Sequence, residues 1–103
     1  MDKSLWEILI PVASNNGENF SSIHNAPWYR KVLELAGGYT KLLPVEGVWK
    51  APDGIVFYEM MLPVRILCTK SEIENIVDFT ITHYEQLAVM YYKISSECII
   101  KEK

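Results

Sequence analysis

Four charged side chains fall on segments that are otherwise apolar: Glu7 in Leu5-Trp6-Glu7-Ile8-Leu9-Ile10, Glu59 and Arg65 within Ile55 to Cys68, and Lys93 in Met90-Tyr91-Tyr92-Lys93-Ile94. A charge on a strand that packs on both sides must find a partner, because unpaired burial of an ion is costly. Two arrangements satisfy this. In one, the four charges pair with each other or fringe a subunit interface. In the other, they line a cavity between two sheets, where Arg65 grips an anionic ligand through parallel N–H bonds. Tyr91, Phe57 and Trp49 would then wall or stack on that ligand, as aromatic side chains do in pockets with a few convergent polar groups. His24, at the end of an irregular loop and beside Asn25 and Trp28, is the remaining candidate for that site. The expected ligand-binding set is Arg65, Glu59, Glu7, Tyr91, Lys93, Phe57, Trp49 and His24.

Dedicated catalytic motifs are missing. Gly37-Gly38 lacks the spacing and the lysine of a phosphate-cradling loop and reads as a helix stop. Cys68 and Cys98 lie thirty residues apart without a His-x-x-x-His or carboxylate cluster, so no metal site and no cofactor are expected. A disulfide between them would need neighbouring strands; free buried thiols are the expectation. Histidine is the side chain most often used for general acid–base work, but the spacing brings no nucleophile to His24 or His83.

The elements that must position these residues are legible from periodicity. Leu5 to Val12 alternates, with Trp6, Ile8, Ile10 and Val12 on one side and Leu5, Glu7, Leu9 and Pro11 on the other, as a strand does. Ala13-Ser14-Asn15-Asn16-Gly17-Glu18-Asn19 is a loop. A helix follows, with Asn25 as its cap, Pro27 in its first turn, Trp28, Val32, Leu35 and Ala36 on one face, and Gly37-Gly38 at its end. Then comes a long hairpin, Lys41 to Trp49 and Ile55 to Cys68, around Lys50-Ala51-Pro52-Asp53-Gly54. Two overlapping capping boxes, Thr69 to Glu72 and Ser71 to Glu74, start a second helix striped by Ile73, Ile76, Val77, Thr80, Ile81 and Tyr84. Ala88 to Ile100 is the last strand.

The order is β-α-β-β-α-β, the split βαβ arrangement. The expected fold is α+β and ferredoxin-like: one domain over residues 1–103, a four-stranded antiparallel sheet in order 4-1-3-2, and two helices on one face. The wholly apolar rows face the helices: Trp6, Ile8, Ile10; Val56 through Ile66; Met90, Tyr92, Ile94. The other face then carries Leu5, Glu7, Leu9, Phe57, Glu59, Met61, Arg65, Leu67, Val89, Tyr91 and Lys93. A register uncertainty at Gly47, where a bulge would fit, and a proline inside the long strand, Pro63, mark irregular pairing. So apolar an open face is unusual on a monomer, and self-association as a homodimer or larger ring is expected.

At 103 residues, half of them apolar, the chain has the composition of one globular domain. A net charge of −3 with scattered lysines and arginines argues against a broad nucleic-acid surface. Neither a secretory leader nor a bilayer-length apolar run is present, so a cytoplasmic protein without membrane partners is expected.

The stretch Gly38-Tyr39-Thr40, Glu46-Gly47-Val48-Trp49 and Pro52-Asp53-Gly54 resembles a family of small bacterial and phage proteins of uncharacterised activity with a shared G-x-T…G-x-W…D-G hairpin. The resemblance implies a single ferredoxin-like domain and no known chemistry. Three functions stay open: a non-enzymatic oligomeric module binding a small, anionic ligand or a partner protein, which in a phage would suit sequestration or inhibition of a host factor; a small dimeric α+β-barrel enzyme acting on an organic acid or metabolite; and a purely structural subunit.

Overall fold

The computed structural model describes residues 2–103. Its elements run β1 (Ser4–Pro11), α1 (Ser22–Ala36), β2 (Thr40–Lys41), β3 (Val45–Lys50), β4 (Val56–Cys68), α2 (Lys70–His83) and β5 (Tyr91–Ser95). The sheet is antiparallel, with β2 and β3 both on one side of β4, β1 on its other side and β5 outside β1. Counting β2 and β3 as one broken arm, this is the expected 4-1-3-2 order. The expected four strands become five because that arm is interrupted.

The interruption is at Leu42-Leu43-Pro44. Lys41 pairs with Val64 and Val45 with Met61, so the first arm spends one residue more than β4 over the same stretch. The bulge expected at Gly47 is therefore displaced, and Gly47 pairs regularly with Glu59. Pro63 explains the position. Its carbonyl accepts from the Leu42 N–H at 2.9 Å, so the side of β4 on which proline offers no N–H is the side where the facing strand bulges. On its other side Pro63 stays in uninterrupted register opposite Leu9.

Helix α1 starts three residues before the expected cap. Ser21 is extended and accepts from the His24 N–H at 3.1 Å, so Pro27 falls inside the helix. Gly37 ends it at φ +82°, a left-handed position open to glycine at little cost. In α2 the first of the two capping boxes is used, with Thr69 and Glu72 each bonding the other's backbone N–H.

Both helices cover one sheet face. Trp6, Ile8 and Ile10 of β1 and Val64, Ile66 and Cys68 of β4 bury against Trp28, Val32, Ile73, Ile76, Val77 and Tyr84. Trp28 is fully buried, and its indole N–H donates to Thr80 Oγ1 at 2.7 Å; the threonine hydroxyl donates in turn to the Ile76 carbonyl. That chain of bonds satisfies the polar groups of a buried Trp and a buried Thr. The apolar row of β4 faces the helices only from Leu62 onward. β1 pairs with β4 over Met61–Cys68 alone, so Val56, Tyr58 and Met60, expected in the core, lie on an arm that overshoots β1 and are exposed. The molecule is accordingly elongated, 49 × 30 × 23 Å. β5 is shorter than expected: a turn at Ser95 and Glu97 ends it, and residues 96–103 hold no regular structure.

Both cysteines are free. Burial pushes the Cys68 thiol up to about 11, which keeps it protonated and unreactive near neutrality. Alkylation of the native protein with iodoacetamide at pH 7.5 is expected to add one group, at Cys98, with Cys68 modified only after unfolding. Peptide mapping of a native sample that found Cys68 modified first would contradict this packing.

Candidate functional site

The open face is built by three neighbouring strands. Register places Glu7 of β1 between Arg65 of β4 and Tyr92 of β5. Arg65 Nε donates to Glu7 Oε1 at 3.0 Å, and the Tyr92 hydroxyl donates to Glu7 Oε2. One carboxylate thus receives a charge-assisted bond on each oxygen. Leu5 opposite Leu67 and Leu9 opposite Pro63 flank it along the sheet, all of them half-buried or buried. Among these side chains Glu7 is only 7% exposed, although no second layer covers this face. The bond to Glu7, and after it burial, raises the Tyr92 phenol above its ordinary value, since ionising it would strand a second anion beside the carboxylate.

Arg65 spends only Nε on Glu7. Among the described residues its two terminal nitrogens donate to nothing, and its side chain is 43% exposed. Its two terminal nitrogens belong to a planar fork of the kind that matches a carboxylate or phosphate. The ion pair cancels its own charge; the terminal nitrogens remain as a donor pair in an apolar surround.

Of the eight expected site residues, the structure brings together Glu7 and Arg65. Tyr91 and Lys93 are on the wrong face for that site. Tyr91 lies opposite Ile8 and Lys93 opposite Trp6, both on the helix side, where Tyr91 packs 6.1 Å from the Trp6 ring and Lys93 Nζ stands 5.4 Å above it. Tyr92, assigned from the sequence to the helix face, takes their place. The inversion has a simple cause. Both rows of β5 are apolar enough to face a core, so alternation could not choose between them. The bulge between Leu5 and Trp6, which leaves Ile94 as the extra residue, then shifts the register.

Glu59, Phe57 and Trp49 lie on the projecting arm, six or more residues along the strand from Arg65, or roughly 20 Å or more. Phe57 and Trp49 do meet, stacked at 4.7 Å between centroids, but with each other. His24 is on α1, remote from the open face. Its ring stacks between Phe20 at 4.7 Å and His83 at 4.5 Å, and His83 Nε2 lies 2.6 Å from the His24 carbonyl, so that nitrogen carries the proton and donates. The Tyr84 hydroxyl donates to Asn25 Oδ1 beside them, and burial raises that phenol strongly. This cluster pins the start of α1 to the end of α2, as a packing device. Tyr92 is the residue the sequence reading missed for the site; a hydroxyl donor within reach of a half-shielded carboxylate was the signal that could have found it.

A four-stranded sheet broken into five segments, with both helices on one face, defines the chain as a ferredoxin-like α+β domain. No family model and no curated sequence matches the chain. Solved structures do. A divalent cation tolerance protein (Cut A1) from Thermus thermophilus matches over 98% of this chain and 87% of its own, with TM-score 0.65 and 11% identity. The periplasmic divalent cation tolerance protein CutA from Archaeoglobus fulgidus matches over 96% and 88%, with TM-score 0.68 and 13% identity. A phage SAM lyase in complex with S-methyl-5'-thioadenosine matches over 91% and 90%, with TM-score 0.65 and 10% identity. At such identities the likeness is one of fold. No helix among the described residues is long and apolar enough to cross a membrane.

Proposed function

We propose that the chain is a self-associating module that binds a small anionic ligand on its open sheet face, with Arg65 as the anchor. One observation carries this reading: a half-exposed guanidinium bonded through Nε to a shielded carboxylate, with no other partner among the described residues, between the apolar pairs Leu5–Leu67 and Leu9–Pro63. Glu7 and Tyr92 fix the orientation of Arg65, which reduces the entropy lost on binding. Self-association would cover the flanking leucines and dry the site, strengthening each charge-assisted bond.

The test uses inorganic phosphate as the probe, at constant ionic strength, with thermal unfolding and light-scattering mass as readouts. Wild-type protein is expected to be larger than a monomer and to gain several degrees in Tm at millimolar phosphate. Arg65→Gln is expected to lose that gain. A protein that is monomeric at every concentration, or a shift equal in the variant, would count against the reading.

A second reading, a small enzyme handling a metabolite, is favoured by the phage lyase that shares the fold over nine-tenths of both chains. The same likeness suits an origin in a phage and action on a host metabolite. Glu7 and Tyr92 would then be the groups able to hold or move a proton. Incubation with S-adenosylmethionine, followed by chromatography for S-methyl-5'-thioadenosine, separates the readings: product formation that Glu7→Gln abolishes favours the enzyme.

A further inference from the structure

The row that carries Arg65, Glu7 and Tyr92 has a fourth member. Thr40 of β2 lies directly opposite Arg65, on the side away from Glu7. Side chains of residues paired across neighbouring strands share a face, so the row across the open face reads Thr40, Arg65, Glu7, Tyr92. The neighbours of Thr40 fix which way it points. The Tyr39 ring packs 4.9 Å from that of Tyr29 on α1, and Lys41 Nζ stands 5.2 Å over the same Tyr29 ring. Both therefore face the helices, and alternation along the strand leaves Thr40 on the open side.

The pairing also sets the spacing. The Leu42 N–H bonds the Pro63 carbonyl, which makes Leu42 and Pro63 a hydrogen-bonded pair. Thr40 and Arg65, two residues along each strand, are then a pair of the same kind, with Cα atoms about 5.5 Å apart. Arg65 thus stands between two unlike neighbours. On the β1 side it spends Nε on a shielded carboxylate. On the β2 side it meets an exposed hydroxyl, a group that can donate to an anion as well as accept.

An arginine fork alone does not choose its ligand. Two guanidinium nitrogens match the two oxygens of a carboxylate as well as two oxygens of a phosphate. A tetrahedral oxyanion differs in having further oxygens outside the plane of the fork. Those oxygens need a donor from elsewhere, and the neighbouring strand supplies one.

We propose that Thr40 is the specificity-determining residue of the Arg65 site. Its hydroxyl donates to an oxygen that the arginine fork leaves free, so the site takes a tetrahedral oxyanion of the phosphate type in preference to a planar carboxylate. This rests on the anion-binding reading above and narrows its ligand class.

Thr40 is exposed on the outermost strand, so substitutions there leave the core intact. The probes are inorganic phosphate and acetate at matched ionic strength, with Kd taken from the rise of Tm with anion concentration. Wild-type protein is expected to bind phosphate about tenfold more tightly than acetate, the effect of one further bond to a charged group. Thr40→Val keeps the branched shape and removes the donor. It is expected to weaken phosphate binding about tenfold and to leave acetate unchanged, which closes the gap. Thr40→Ser is expected to restore it. If wild type binds phosphate without the preference, or Thr40→Val keeps the preference, the role of Thr40 is overturned and Arg65 stands as the anchor. Equal losses of both anions in Thr40→Val, or a serine variant as weak as the valine one, overturn that role as well. A wild type whose Tm responds to neither anion overturns the anion-binding reading itself.

Discussion

Trp28→Ala is expected to remove about 3–5 kcal/mol of folding stability, the loss usual for truncating a fully buried large aromatic. In a domain of this size that is a large fraction of the whole, since total stabilities run about 5–15 kcal/mol. The indole joins α1 to α2, edge-on to Tyr29 at 5.1 Å and tilted against Tyr84 at 6.5 Å, and it closes the bond chain through Thr80 to the Ile76 carbonyl. Trp28→Phe separates the two contributions. It keeps most of the ring volume but withdraws the donor from Thr80 Oγ1, and a buried acceptor left alone costs about 1–3 kcal/mol. Urea midpoints at constant m-value give both numbers. If the alanine variant lost less than about 1 kcal/mol, the interhelical core could not be packed around Trp28, because no relaxation of neighbours fills so large a void without cost.

The helical half of this architecture was legible in the sequence because its signals are local and redundant. The stripe from Ile73 to Tyr84 and either of two overlapping capping boxes announce α2, the glycine stop after Ala36 announces the end of α1, and the structure uses the stripe, the Thr69–Glu72 box and the stop. The strand order was legible for a similar reason: β-α-β-β-α-β leaves few connections that keep both helices on one face. What was not legible is what a strand learns only from its neighbours. Pro63 announced an irregularity, but whether it fell on β4 or on the strand opposite depended on which way a missing N–H pointed. Tyr91, Tyr92 and Lys93 could be placed in a strand, but not on a face, because both rows of that strand are apolar enough to pack. The overshoot of the hairpin was hidden as well. The row from Val56 to Ile66 reads as one continuous core face, yet β1 stops at Pro11, and the core stops with it.

The second large effect is expected at the ion pair, where its components do not add. Arg65→Ala leaves Glu7 shielded from water with one donor in place of two. Breaking a buried pair costs about 3–5 kcal/mol, and the exposure of the arginine end brings the expectation here to about 1–3 kcal/mol. Glu7→Leu alone strands the guanidinium less severely, because Arg65 can turn to solvent. Glu7→Leu/Arg65→Leu, by contrast, is expected to recover most of the loss or exceed wild type, since a leucine pair extends the row already formed by Leu5, Leu67 and Leu9. Tyr92→Phe supplies a pH signature. The phenol is raised in the folded state by its bond to Glu7, so its contribution is complete below the unfolded value near pH 10 and is lost as pH climbs through the folded one. The stability gap between wild type and Tyr92→Phe is therefore expected to be constant from pH 7 to 9 and to close above 10. Tyr84 is raised too, but it is present in both proteins and cancels in the difference. A double leucine variant as unstable as Arg65→Ala would mean that the pair is itself structural. One that folds as well as wild type, yet no longer gains Tm with phosphate, would place the value of Arg65 in binding, for which a charge on an apolar sheet is otherwise a poor choice.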